Sequence, residues 1–462
     1  MKTTRSGLAH KSAPAGGADG PTPTRIRRRL ERWGSVAAAA TGSIALLATG
    51  LSVPAGASGR YDVTFCSTTA FSGPSSFQGT VVGGVLKAAQ AYLNSVGGVL
   101  GHKVAIKFVD TKGDPADGVP ATEKFISTTS HVMLDDQLGT TDAPALVPIV
   151  NRAKIPIWAS AGNSIYDHQT KYPYFWRAVT PDAANGVAIA LYIKRTLHVS
   201  RVGVVFGSTS GAQGDLPGVL AGAHALKLDV VGQTKLTPAQ PSYQSQVAAL
   251  LAENPQVIVT EADPVTSATF WGEFAQQTTK TIPIIATAGT EGAGWTAPVS
   301  KDMGASRFRK EVRRVVIATP NPTPATKLFS KWVKQYSGAT KTVLDNYILS
   351  SFGEYDWDGI MIASLAAVAA GSTTPVKWNK YIPKVSNPGK GKTVVYSFTQ
   401  GRKLLKEHKQ IQYVGAGGSF DFNRYHNSTT YQVVQRYSGG SWHTLAKLPA
   451  AEIAKVNVPP SP

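Results

Sequence analysis

The chain has one cysteine, Cys66, in 462 residues. A single thiol excludes an intramolecular disulfide, and with no Cys/His cluster there is no zinc framework. Cys66 sits in the apolar run YDVTFC, which predicts a buried thiol and not a reactive one. Charge is scarce: 16% of residues are charged against 42% hydrophobic, the balance of a folded protein. Catalytic signatures are missing as well. There is no G-x-S-x-G elbow, no H-E-x-x-H, no P-loop and no G-x-G-x-x-G after a strand. Gly203 and Gly207 flank a strand without the rest of a dinucleotide fingerprint. His198 and His224 stand on helical patterns with no partner at ligand spacing, so neither predicts a metal. The expectation is a chain without catalysis, metal or cofactor.

Acidic residues are few, 28 against 47 Lys and Arg, for a net charge of +19. No aromatic residues interleave the basic ones, so nucleic acid is not expected as a partner. A solvated basic face is the plain reading of the excess. Part of it lies in the first 57 residues, a low-complexity stretch followed by Arg25, Arg27, Arg28, Arg29 and Arg32. Val36 to Leu51 is then apolar and small, and Ala55-Gly56-Ala57 has the form of a cleavage site. Basic, apolar, small-residue cut is the order of an export signal. The apolar run is short for a spanning helix, which favours cleavage over an uncleaved anchor, though the anchor stays open. Cys66 follows Phe65 beyond the cut, so no lipoprotein is expected. Export predicts an extracellular or cell-surface protein.

Short Val- and Ile-rich segments alternate with helical patterns from Tyr61 to about Ala318. The strands expected are 61–66, 103–109, 132–134, 155–159, 201–206, 229–234, 257–260, 282–287 and 313–318. Mostly apolar throughout, they read as strands buried on both faces, between helices, as in doubly wound α/β sheets. Between the first helix and the second strand the chain reads NSVGGVLG, where Gly97 and Gly98 stop a helix and reverse the chain. The rhythm breaks at FWRAVTPD (175–182) and again at TPNPTP (319–324). These breaks predict two doubly wound parallel-sheet lobes joined by a multi-strand hinge, with a ligand cleft between them. Residues 60–178 begin lobe 1, 179–317 begin lobe 2, 318–418 return to lobe 1, and 419–462 return to lobe 2 and form a tail.

In open α/β sheets, ligands sit at the carboxyl ends of the strands. That rule selects the loops 67–77, 135–142, 160–164, 207–214, 261–264 and 288–295, rich in Gly, Ser and Thr. Their backbone N–H groups, hydroxyls and helix N-termini suit a carboxylate or other small anion. Glu261, Asp263 and Glu291 add negative charge on the second lobe. One anion-holding lobe facing one carboxylate-bearing lobe fits a zwitterion such as an amino acid. Asp110 reads as a residue that orders its loop.

Several motifs, in order, resemble one family. They are Ser72-Gly73-Pro74 with Gly79; Asn94 with Gly97-Gly98-Val99-Leu100-Gly101; Asp110 with Asp114-Pro115; and Phe175-Trp176-Arg177. Gly214, Thr290-Glu291-Gly292, Tyr355-Asp356 and Gly418-Ser419-Phe420-Asp421-Phe422 complete the series. The chain thereby resembles the type I periplasmic solute-binding proteins, in particular the branched-chain amino-acid binders of ABC importers. The resemblance implies a bilobed monomer that closes on a small-molecule ligand and delivers it to ABC permease subunits. By it, Thr140 or Thr141 and the Ala161-Gly162-Asn163 loop would hold the ligand carboxylate, and Glu291 the α-ammonium. Gln213 and Asp263 stand where members often place aromatic rings, and Gln78 or Phe77 would line the pocket. Asn163 replaces a usual hydroxyl residue. Gln213, Asp263 and the Asp135-Asp136-Gln137 run make the cleft more polar than one for leucine, so an amino acid or related amide is expected.

Other readings stand beside these. Thr140 and Thr141 equally suit helix N-caps. Trp158, Trp176 and Trp271 read as packing residues, whereas Trp295 falls in a cleft loop and could cover a ligand. A sensor ectodomain of the same fold would bind ligand and signal. Trp295 with Asp263 keeps a sugar in play, and an aromatic acid is a further solute.

Overall fold

In the computed structural model, residues 61–73, 76–137, 142–166, 170–177, 179–290, 293–318, 322–428 and 431–456 are described. The expected export signal, residues 1–57, lies outside the described residues. Among the described residues no single helix is long and apolar enough to cross a membrane.

The first lobe is built on β1 (Val63–Thr69), β2 (Val104–Asp110), β3 (Val132–Gln137), β4 (Ile157–Ala159) and β5 (Phe175–Arg177). They pair in parallel in the order β2-β1-β3-β4-β5. All seven residues of β1 are buried, as a central strand covered on both faces requires. The second lobe has β6 (Arg201–Gly207), β7 (Asp229–Leu236), β8 (Val257–Glu261), β9 (Ile284–Ala286) and β10 (Val312–Ile317). A small sheet of β11 (Thr393–Val395), β12 (Ile411–Gly415) and β13 (Gly418–Ser419) lies against the first lobe. Finally β14 (Gln432–Ser438) and β15 (Ser441–Leu448) form an antiparallel hairpin on β10. Its turn is Gly439-Gly440, both at positive φ as a tight hairpin needs. The second sheet runs β15-β14-β10-β9-β8-β6-β7.

Two doubly wound α/β lobes are therefore present, as the alternation of patterns implied. The FWR segment, read as a break, is the edge strand β5. Two short helices, Ala305–Glu311 and Phe398–Lys406, were not expected from the sequence; both are rich in basic residues, and the second is amphipathic, burying Phe398 and Gly401. Phe420 and Phe422 still pack in the first-lobe core, so the chain returns to the second lobe between Phe422 and Gln432, later than residue 419.

Helix starts follow a repeated local rule. Asp114-Pro115, Asp263-Pro264 and Thr323-Pro324 each put a side-chain acceptor at the N-cap and proline at the first helical position. The helix Ser351–Ala370 buries fourteen residues. It is buried nearly all round because β3 and the helices Phe77–Ser95, Ile382–Ser386 and Phe398–Lys406 surround it. In the NSVGGVLG turn, Gly98 has φ +71°, and a Cβ there would collide with the carbonyl oxygen of His102. Val99 and His102 exchange two backbone hydrogen bonds at 3.0 Å, which closes the turn directly before β2.

Candidate functional site

Three chain passages connect the lobes, and their locks can be read bond by bond. Arg177, fully buried at the end of β5, donates from Nε to Ala161 O (2.9 Å) and from Nη2 to Asn163 O (2.6 Å). Its Nη1 donates to Asn427 Oδ1 at 2.6 Å, on the segment that leaves the first lobe for the second. Trp176 stacks on His426 at 3.7 Å and 7°. Thr323 Oγ1 donates to Gly415 O at 2.9 Å. One guanidinium thus fixes the loop after β4 and a second crossover together.

The loop Ala161–Asn163 stands at the carboxyl end of β4, under the first turn of the helix Asp182–Tyr192. Asp182 N donates to Gly162 O at 3.0 Å. A Cβ on Gly162 would run into the Asp182 carboxylate, so only glycine admits this approach. Asn163 Oδ1 accepts from Ile165 N (3.0 Å), which makes Asn163 an Asx turn in place of the usual hydroxyl residue.

Asp182 is the near member of a carboxyl cluster. Asp215, in the helix Ser210–Ala225, lies close enough to Asp182 and to Glu261 at the end of β8 to act on both carboxyls. Thr287 Oγ1 donates to Glu261 Oε2 at 2.5 Å, and a Cβ on Gly289 would strike the Glu261 carboxylate. Burial, then Asp215, push Asp182 well above the carboxylate range, with Arg177 opposing and Glu261 adding to the shift. Burial, then Asp215, push Glu261 up in the same way, against Thr287. Three carboxyls therefore converge where loops of both lobes meet. Full ionisation of all three is costly without a cation. Sequence reasoning singled out Glu261 for its charge but missed Asp182 and Asp215. Asp182 opens a helix directly after the FWRAVTPD break, which was its available signal. Asp215 had none, because only the packing of its helix turns it inward.

The other expected residues fall as follows. Ala161 and Gly162 are at the interlobe loop, with Asn163 beside them. Gln213 lies inside a helix that begins at Ser210, not in a loop, and its Nε2 bends back to Gly207 O (2.8 Å). The Gly/Ser composition of 207–214 resembled a loop because it is a helix N-terminus. Asp263 N-caps the helix Pro264–Gln277 through Thr266 N (3.0 Å), and its Oδ2 has no partner. Gln78 is half-buried in the first turn of Phe77–Ser95. Thr140, Thr141 and Glu291 lie outside the described residues. Asp135 and Asp136 are buried inside the first lobe, so they add no polarity to the cleft surface. Trp295 is likewise buried, in the second-lobe core, with Nε1 donating to Ser267 Oγ at 3.0 Å. Its ring therefore packs in the core and is not exposed on the cleft surface. Asp110 accepts from Phe71 N, Ser72 N, Ser72 Oγ and Lys112 N, and orders its loop.

Two surface cavities of about 360 Å³ lie elsewhere, one lined by Lys194, His198 and Lys227, the other by Gly97, Leu100 and Arg402. Both sit by the amino ends of strands, the wrong end for a ligand of this fold class.

A sequence model of a family described as periplasmic binding protein matches residues 63–433. No curated protein matches the chain. Among solved structures, a branched-chain amino-acid ABC transporter protein of Thermus thermophilus with bound valine superposes with a TM-score of 0.65. It is 15% identical and covers 86% of this chain and 99% of its own. A leucine-binding protein of Thermotoga maritima gives 0.62 at 18% identity, covering 84% and 99%. A solute-binding protein of R. palustris in complex with benzoate gives 0.62 at 15% identity, covering 84% and 97%.

Proposed function

This chain belongs to the periplasmic binding protein family, and from that membership we propose that it captures a small solute carrying a cationic nitrogen and delivers it to an ABC importer. The observation that carries the reading is the Asp182–Asp215–Glu261 cluster between the lobes. An ammonium or amidinium group would replace the protons these carboxyls otherwise retain, through charge-assisted hydrogen bonds. An amino acid or related amide meets that demand, with Glu291 as a further carboxylate toward the ammonium and Thr140 or Thr141 toward the carboxylate. A benzoate-like anion, the ligand of one structural neighbour, would face repulsion here.

Capture works by lobe closure. Ligand shifts the population toward the state in which both lobes contact it. No step is catalytic. The protein acts as an exported monomer, released or held by its N-terminal segment, with permease subunits as partners. A sensor ectodomain would bind the same ligand, and a neighbouring permease and ATPase gene pair, if found, would support the importer over it. The test is a thermal-shift screen across amino acids, amides, polyamines, aromatic acids and sugars. Amine-bearing ligands are expected to raise Tm. A rise with aromatic acids and none with any amine would overturn the reading.

A further inference from the structure

Beneath the cleft, inside the first lobe, two more carboxyls have no partner at all. Asp136 on β3 and Asp356 in the helix Ser351–Ala370 are each 1% exposed, and none of their four carboxyl oxygens has a hydrogen-bond partner. Ser67 on β1 is fully buried and its Oγ is also unpartnered. The register brings the three together. Cys66 pairs with Asp135 across β1 and β3, which sets Ser67 beside Asp136 on one face of the sheet. Asp136 pairs with Trp158 across β3 and β4, and Trp158 Nε1 donates to the carbonyl of Tyr355, the residue before Asp356.

The neighbours show that this fold otherwise satisfies its buried carboxyls. Asp135, on the opposite face, accepts from Thr68 N (2.9 Å) and Thr68 Oγ1 (2.7 Å). Asp358, two residues beyond Asp356, accepts from Tyr413 Oη, Ala416 N and Gly417 N. Among the described residues, Asp136 and Asp356 alone leave both carboxyl oxygens buried without a partner. Protonation would remove the charge but would leave two O–H donors and the remaining oxygens without partners. Burial, then Asp356 and then Asp135, drive Asp136 upward, and no basic group opposes them.

We propose that Asp136, Asp356 and Ser67 form a buried site for a calcium ion. Two carboxylates balance its charge, and with Ser67 Oγ they supply five of the roughly six to eight hard oxygens that calcium takes. Magnesium, which keeps its waters, suits a site without solvent less well. Among the described residues no group of three or more His, Cys, Asp or Glu side chains could hold a metal; this site rests on two carboxylates and a hydroxyl.

The proposal is independent of the solute and is tested without it. Elemental analysis of the purified protein is expected to find calcium. After chelation, calcium chloride is expected to raise Tm by ~3 °C or more at saturation. The rise should vanish in the Asp136→Asn/Asp356→Asn variant and shrink in Ser67→Ala. If the double variant does not fold, the wild-type titration and Ser67→Ala decide. The proposal is overturned if calcium leaves the wild-type Tm unchanged, if magnesium or sodium shifts it and calcium does not, or if the variants respond as the wild type does.

Discussion

Arg177 Nη1 lies 2.6 Å from Asn427 Oδ1, a hydrogen bond that spans 250 residues of chain and ties two crossovers between the lobes. The same side chain holds two carbonyls of the Ala161–Asn163 loop. Arg177→Met keeps much of the stem and removes every donor. It leaves buried acceptors unpaired and is expected to cost about 3 kcal/mol or more. Urea unfolding checks this. A loss below ~1 kcal/mol would mean that the crossovers are held by packing.

His426 is buried against Trp176, and burial lowers its pKa from 6.5 to about 4, against its hydrogen bond to Phe175 O. The folded state therefore binds fewer protons than the unfolded state between those values. Stability is full above pH ~6.5 and declines as pH falls toward 4, by up to ~3 kcal/mol. Unfolding midpoints across pH 4–7 in wild type and His426→Phe test it. A slope retained in the variant would assign the loss to other groups.

The Asp182–Asp215–Glu261 cluster reverses that sign. Raised folded pKa values mean that the ligand-free protein loses stability as pH rises above the ordinary carboxylate range. Asp215→Asn is expected to stabilise the ligand-free protein at pH 7 and to weaken an amine ligand ~10-fold or more. Calorimetry in buffers of different ionisation enthalpy should report proton release when the wild type binds. Absence of release, with unchanged affinity in the variant, would place the cationic group elsewhere.

Glu291→Ala is expected to abolish the Tm rise caused by an amino-acid-like ligand. An unchanged rise in the variant would remove Glu291 from the ammonium site.

Gly98→Ala places a Cβ against His102 O at a φ of +71°. The expected cost is ~2 kcal/mol, read as a lower chemical-denaturation midpoint with ligand affinity unchanged. A neutral variant would show that the turn can relax.

The two lobes were legible because short apolar strands between amphipathic helices have no other covered arrangement. The NSVGGVLG turn was legible because only glycine tolerates its backbone and close contact. Helix starts at Asp263 and Thr323 show in their cap and proline pairs, although in the sequence Asp263 reads as a pocket residue and Thr323 as part of a connector. Less was legible of the site. Gln213 and Trp295 stand in segments whose composition suggests loops, yet both belong to helices, one bonded back to its strand and the other buried in the core.

The sequence alone determined the alternation, the turns and the family, since these depend on residues close along the chain. Only the tertiary structure decided which carboxyls meet. Asp182 and Asp215 are brought to Glu261, and Asp136 to Asp356, by the packing of helices on sheets. Their burial and mutual repulsion are properties of that packing and of no single segment.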